Sequence, residues 1–392
     1  MLGFVVVDYT DDLDEHLREL FDCSIFYKRH EFEYMRDPEK WIYRYKLADD
    51  YITKIVLDNG KPIASLGVIK RRCIVSGKEV NVGCFVDDCI LPEYIGKYED
   101  IFKELFVDIE KDAKKHGIDV LCGWDYLHLL KKHESFYKQL GFSWVDGVNW
   151  FPGGSDINET YPHPLTYLIP WYWRWAIGLY KYYFKFIELR LPRLNDDIKI
   201  RWMENSDIPS VVEFINTQED DAEFKSRYSV TEYQIILEKN NIHGILAEKN
   251  SELIGVLTYV VSAWGGWMFG KPFYDKKWGI FYSYTPDEFA VKSKYQKTIV
   301  PAHMVLKLMK TKDPERKIQN LNDYSLMVDI FDKRLDWRRG ALFKVGCSEP
   351  EFDYGVILAK SLRDDIILDK SKSWDLPARY IIAPVPSPNQ SD

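Results

Sequence analysis

The chain has 392 residues, 46% hydrophobic and 29% charged, which excludes a largely disordered polypeptide and makes two domains a better prior than one. Its net charge of −8 excludes the broadly basic face that general nucleic-acid binding needs. Its 26 Tyr, 21 Phe and 13 Trp supply ring surface for large cores, or for grooves that take ligands or lipid.

The opening, MLGFVVVDYTDDLDEH, has no basic segment and only a short apolar run. It is not read as a secretion signal, and the expected setting is the cytoplasm. DEHLRELFDC and DPEKWIYRYKL carry helical spacing. Three strands follow between Tyr51 and Leu91, with Asp58-Asn59-Gly60 and Ser76-Gly77 as hairpin turns. KYEDIFKELFVDIEKDAKKHGI predicts an amphipathic helix that stops at Gly117, with lysines in its last turn. DVLCGW predicts the next strand, LLKKHESFYKQLGF the next helix, and SWVDGVNWF another strand. Cys23, Cys73, Cys84, Cys89, Cys122 and Cys347 form no CxxC pair and no zinc spacing. No metal is expected; several of these cysteines are expected to be small buried hydrophobes in a reducing setting.

From Pro152 to Asp196 the texture changes. A Gly- and Pro-rich loop leads into LTYLIPWYWRWAIGLYKYYFKFIELRLPRL, where Arg174, Lys181 and Lys185 argue against a membrane-crossing helix. Residues 167–191 have two readings. The favoured one is a connector buried between two domains; the other is an interfacial helix with its rings at the headgroups of a membrane surface. Strand, helix and hairpin then restart at Ile198, and VDDCILPEYIGK has a counterpart in PDEFAVKSKYQK. Placing Tyr94 opposite Tyr295 puts Asp87 opposite Glu288. The chain is read as a diverged tandem duplication: a domain at 1–150, a linker at 151–196, a second domain at 197–362 and a tail at 363–392. The end of the tail, APVPSPNQSD, is expected to be disordered. The fold class is α/β, with mixed, mostly antiparallel sheets flanked by helices.

Asp87 and Asp88 are two carboxylates in an apolar strand, which is costly unless they are paired or used. Alternation along the strand would let only one of them face a cleft. Tyr137, four residues before Gly141, is either a packed helix residue or a proton donor. Glu288 is the weaker candidate, because Pro286 and Asp287 beside it suit a loop. His128 and His133 have no Ser-His-Asp or metal spacing and are read as surface residues.

YMRDPEKWIYRYK, GKPIASLGV, VDDCILPEYIGK and SFYKQLGF, in that order, resemble the GCN5-related N-acetyltransferase (GNAT) superfamily over most of residues 25–150. A fainter echo covers 198–360, so the chain looks like a tandem GNAT protein. The resemblance implies a slot between two splayed parallel strands for the pantetheine arm of acetyl-CoA or another acyl-CoA. Backbone N–H groups after the fourth strand, with the next helix N-terminus, would hold the pyrophosphate. It implies Asp87 or Asp88 as base or amine-positioning group, and Tyr137 as the acid that protonates the leaving thiolate. Leu91, Gly96, Lys97 and Tyr98 would border the cofactor. The implied reaction is N-acyl transfer to a primary amine on a small molecule or glycan, an amino sugar being preferred, with no nucleic-acid partner. Ile95 stands where the family has Arg or Gln, and Tyr98, Glu99 and Asp100 follow where it has glycines. In the second copy Gln296 keeps the first position, Ile299 and Pro301 replace the glycines, and Leu342 stands at the tyrosine position. Two other readings stay open: a Fem-type aminoacyl-tRNA-dependent transferase, and a non-catalytic binding protein on degenerate lobes.

Overall fold

The computed structural model describes residues 4–13, 20, 32–33, 50–152, 186–218, 222–239, 242–268, 271–272, 281–309, 325–327, 329–332, 334–345, 347–348 and 355–374. The two early helices expected from DEHLRELFDC and DPEKWIYRYKL, most of the aromatic linker and the end of the tail lie outside them. The chain divides into two units. The first is Met1–Gly147 with Ala222–Lys225 and Asp353–Leu376; the second is Val148–Asp221, Ser226–Phe352 and Pro377–Asp392.

In the first unit, β1 (Phe4–Asp8) pairs antiparallel with β2 (Tyr51–Asp58), β2 with β3 (Lys61–Val75), and β3 with β4 (Lys78–Ile90). Asn59 and Gly60 (φ 52° and 80°) make one turn, Ser76 and Gly77 (φ 51° and 75°) the other. Positive φ at both central residues matches the right-handed twist of the flanking strands, which is why Asn-Gly predicted the first. α1 (Tyr98–Lys115) buries Ile101, Phe102, Leu105, Phe106, Ile109 and Ala113, a single face at helical spacing. It stops where Gly117 takes φ 66°, so that Gly117 N–H reaches the Lys114 carbonyl (3.2 Å) and Ile118 N–H the Ala113 carbonyl (2.8 Å). β5 (Val120–Tyr126), α2 (Leu127–Lys132), α3 (Glu134–Gln139) and β6 (Ser143–Pro152) follow.

The second unit repeats the order with β7 (Ile198–Trp202), α4 (Ile208–Asn216), α5 (Val230–Lys239), β8 (Ile242–Lys249), β9 (Glu252–Met268), β10 (Phe281–Val291), α6 (Val300–Met309), β11 (Ser325–Met327) and α7 (Asp336–Lys344). Its sheet runs β11-β10-β9-β8-β7, parallel between β10 and β11 and antiparallel elsewhere. The β8–β9 turn is Asn250-Ser251 (φ 50° and 67°), the same turn made without glycine.

The last strand, β12 (Gly355–Ser361), corrects the expected domain boundary. The second domain expected from the sequence runs from 197 to 362, yet β12 lies between β5 and β6 in the sheet of the first unit. It is antiparallel to both, from Gly355–Tyr126 to Ser361–Val120 and from Val356–Asp146 to Ala359–Ser143. Val356, Ile357, Leu358 and Ala359 are all buried, so both faces of the strand are apolar. Such a strand needs a neighbour on each edge and cover on each face, and β5 and β6 supply the edges. Lys360 pairs with Glu110 of α1, and the Ser76 hydroxyl oxygen lies 2.6 Å from the Ile367 carbonyl. Glu223, from the short inserted segment, accepts from Ser76 (2.5 Å) and from Asp369 N–H (2.9 Å).

Candidate functional site

β4 and β5 pair in parallel only at Val82–Val120, Gly83–Leu121 and Cys84–Cys122. Beyond that, Asp87 and Asp88 of β4 stand opposite the single residue Leu66 of β3, a β-bulge. A bulge bends its strand, and the parallel pairing of β4 with β5 ends three residues before this one begins. Strict alternation no longer sorts Asp87 from Asp88 across a bulge, and the side chain of Asp87 lies outside the described residues. Asp88 is exposed.

The second unit repeats this arrangement. β10 and β11 pair at Tyr282–Ser325, Ser283–Leu326 and Tyr284–Met327, and β10 bulges at Asp287 and Glu288 opposite Thr258. The bulge begins three residues beyond Cys84 and three beyond Tyr284. It aligns Asp87 with Asp287 and Asp88 with Glu288, so the expected match of Asp87 with Glu288 is off by one. One residue more separates Glu288 from Tyr295 than Asp88 from Tyr94.

In the first unit Tyr137 is 3% exposed. It lies near the end of α3, where Gly141 takes φ 84°. Phe142 N–H bonds the Tyr137 carbonyl and Gly141 N–H the Lys138 carbonyl, both at 3.0 Å. The Tyr137 and Phe142 rings pack edge to face at 6.1 Å. This is a Schellman stop with its apolar clasp, and it accounts for the Tyr-x-x-x-Gly-Phe spacing without any chemistry. The Tyr137 hydroxyl lies 2.9 Å from that of Tyr98. Tyr98 is itself buried, its ring stacked against Phe102 (4.4 Å) and His133 (4.6 Å). His133 Nδ1 is 2.8 Å from Glu99. His133, expected at the surface, is thus part of a buried knot; the side chain of His128 lies outside the described residues.

The other cofactor candidates occupy the turn before α1. Leu91 is buried, and its N–H bonds the Ile63 carbonyl at 2.9 Å. Tyr94 N–H is taken by the Leu91 carbonyl (3.0 Å) and Tyr98 N–H by the Ile95 carbonyl. A Cβ on Gly96 would meet nothing within 4 Å, so no close approach demands glycine there. The Lys97 ammonium lies over the rings of Phe4 (5.3 Å) and Tyr94 (5.9 Å).

Around the second bulge a polar cluster gathers that the sequence did not reveal. Tyr228 donates to Glu288 at 2.6 Å, and Glu288 N–H donates to the Thr258 hydroxyl at 3.1 Å. Asp287 is buried beside them. Tyr233, wholly buried, faces Thr258 but completes no hydrogen bond of ordinary length. Burial, then the charges of Glu288 and Asp287, push its hydroxyl well above the usual tyrosine range, so it keeps its proton. Sixty residues separate Tyr228 from Glu288, and no spacing rule joins them.

The turn beyond β10 carries Lys292, Lys294 and Lys297, and no carboxylate lies between Phe289 and Met309. The Thr298 hydroxyl accepts Val300 N–H (3.2 Å) as α6 begins. This donor set, with a helix N-terminus, fits the pyrophosphate of an acyl-CoA. The first unit does not fit it at the matching place, where it has Tyr98, Glu99 and Asp100.

No protein-family model and no curated protein sequence matches the chain. Solved structures do. A tandem GNAT protein from the clavulanic acid biosynthesis pathway is 10% identical, with TM-score 0.56, over 92% of this chain and 99% of that one. The N-myristoyltransferase of Saccharomyces cerevisiae, solved with bound myristoyl-CoA, is 12% identical with TM-score 0.55, over 97% of this chain and 85% of that one. A GCN5-related glucosamine N-acetyltransferase region of a fungal multi-domain β-N-acetylglucosaminidase is 15% identical with TM-score 0.54, over 92% of this chain and 38% of that one. The chain has the GNAT-like fold, in tandem. Among the described residues no helix is long and apolar enough to cross a membrane. Nor do they hold a group of three or more His, Cys, Asp or Glu set to bind a metal ion.

Proposed function

We propose that the protein is an N-acyltransferase that moves an acyl group, acetyl by preference, from acyl-CoA to a primary amine. An amino sugar is the preferred acceptor, and the chemistry belongs to the second unit. The observation that carries this reading is the Glu288 carboxylate: it stands on a bulge where β10 leaves β11, is oriented by Tyr228, and precedes a basic turn. Glu288 is half-buried, which keeps it close to solvent while Tyr228 fixes its direction. A carboxylate so held accepts the proton that an amine sheds as its nitrogen attacks. Thr258 and Tyr233 line the same side with hydroxyls. Lys294 and Lys297, both exposed, and the start of α6 hold the anionic end of the donor. Acyl-CoA supplies an activated thioester, whose thiolate is a far better leaving group than an alkoxide and departs without a strong acid. That suits a unit with Leu342 where a tyrosine acid would stand.

The test is amine-dependent release of free thiol from acetyl-CoA and longer acyl-CoAs, with amino sugars, polyamines and peptides as acceptors. Glu288→Gln should lower kcat by roughly 10²–10⁴-fold with little change in CoA affinity. The reading fails if no acyl-CoA yields amine-dependent thiol with any acceptor.

A further inference from the structure

The first unit has the same parted strands and the same bulge, yet its donor end is filled by its own side chains. A helix start offers backbone N–H groups to an anion only if the approach to them is open. Here the first helical residue, Tyr98, is buried with its ring turned inward. The ring is clamped between Phe102, one turn on, and His133, which precedes α3. Its hydroxyl is fastened to Tyr137 of α3 at 2.9 Å. Glu99, the next residue, holds His133 from the other side. One side chain thus ties the beginning of α1 to α3 and to the residue that precedes it. The turn before it is closed by its own bond, Tyr98 N–H to the Ile95 carbonyl. Exposed Glu99 and Asp100 already supply the negative charge that the helix dipole favours. The first helical residue of α6 is Val300, preceded by Ile299; both are aliphatic, neither has a hydroxyl to tie across, and Lys294 and Lys297 lie just before them.

We propose that Tyr98 is a specificity-determining plug, which denies the first unit to nucleotide-bearing thioesters and leaves donor binding to the second. This inference rests on the acyl-transfer reading for what the second unit binds, but the plug itself can be tested with CoA alone. Calorimetric titration of the full chain with CoA is expected to show about one site in the wild type and in Tyr98→Phe, whose ring still fills the gap. Tyr98→Gly is expected to gain a second site, with its circular dichroism unchanged. Hydrogen exchange of the wild type gives an answer that needs no variant: CoA should protect residues 300–304 and leave 98–102 unaffected. Protection of 98–102 in the wild type would overturn the plug, as would a folded Tyr98→Gly that gains no site. If instead the wild type binds no CoA but Tyr98→Gly does, the plug stands and the assignment of donor binding to the second unit falls.

Discussion

Lys54 illustrates what a single residue can hold together. It lies within β2, is 3% exposed, and meets Asp8 of β1 with Asp108 (2.9 Å) and Asp112 of α1. Burial alone would lower its pKa, but hydrogen bonds to Asp112, Asp8 and Asp108 outweigh that and raise it. Lys115 and then Lys54 hold Asp112 down at about 2. Removing the ammonium leaves a cluster of carboxylates facing one another, so Lys54→Met should cost about 3–5 kcal/mol in urea unfolding at neutral pH. The pH dependence has a fixed sign. Asp112 titrates lower in the folded chain than its ordinary 3.8, so its contribution is complete above that value and is lost as pH falls toward about 2. Wild-type stability should therefore drop across that window, and Lys54→Met should drop less steeply, which unfolding curves between pH 2 and 6 would check. At this scale the sequence was legible where chemistry is local. Asp87, Asp88 and Glu288 could be picked out as carboxylates inside apolar runs, but nothing in the sequence brings Tyr228 or Tyr233 to them.

At the scale of elements, turns and helix stops were written most plainly. Asn59-Gly60, Ser76-Gly77, Gly117 and Gly141 all take positive φ where the sequence placed a break. The bulges were not legible, because one extra residue in a strand has no signature in alternation until its partner is known. The close approach of β4 and β5 at Gly83 is a similar case. A Cβ there would come within 2.6 Å of Val68 and 3.0 Å of both Ile118 and Leu121. These are packed core side chains with little room to yield. Gly83→Ala should therefore cost about 1–3 kcal/mol by overpacking, read as a lower midpoint in chemical denaturation. Gly96→Ala, which meets nothing, is the comparison and should cost no more than a few tenths of a kcal/mol.

At the scale of the whole molecule, the path of the chain matters more than its halves. The first unit draws its penultimate strand from residues 355–361 and further contacts from 222–225. A fragment ending at 196 lacks both. It would expose the edges of β5 and β6 and the apolar faces that β12 covers. Such a fragment should lack a cooperative thermal transition, and adding residues 353–376 through a flexible linker should restore one. A sharp melt from 1–196 alone would contradict the importance given to that strand.

The sequence by itself determined the local periodicities, the turn chemistry, the duplication and the α/β class. Each of these depends on residues a few positions apart, or on a pattern occurring twice. Only the tertiary structure decided that β12 serves the first unit, that the bulges pair Asp88 with Glu288, and that Tyr98 turns inward onto His133 and Tyr137. Those outcomes depend on which strand edges and ring faces meet across long stretches of chain, and burial of apolar surface, having no direction of its own, selects among them only once the whole chain is folded.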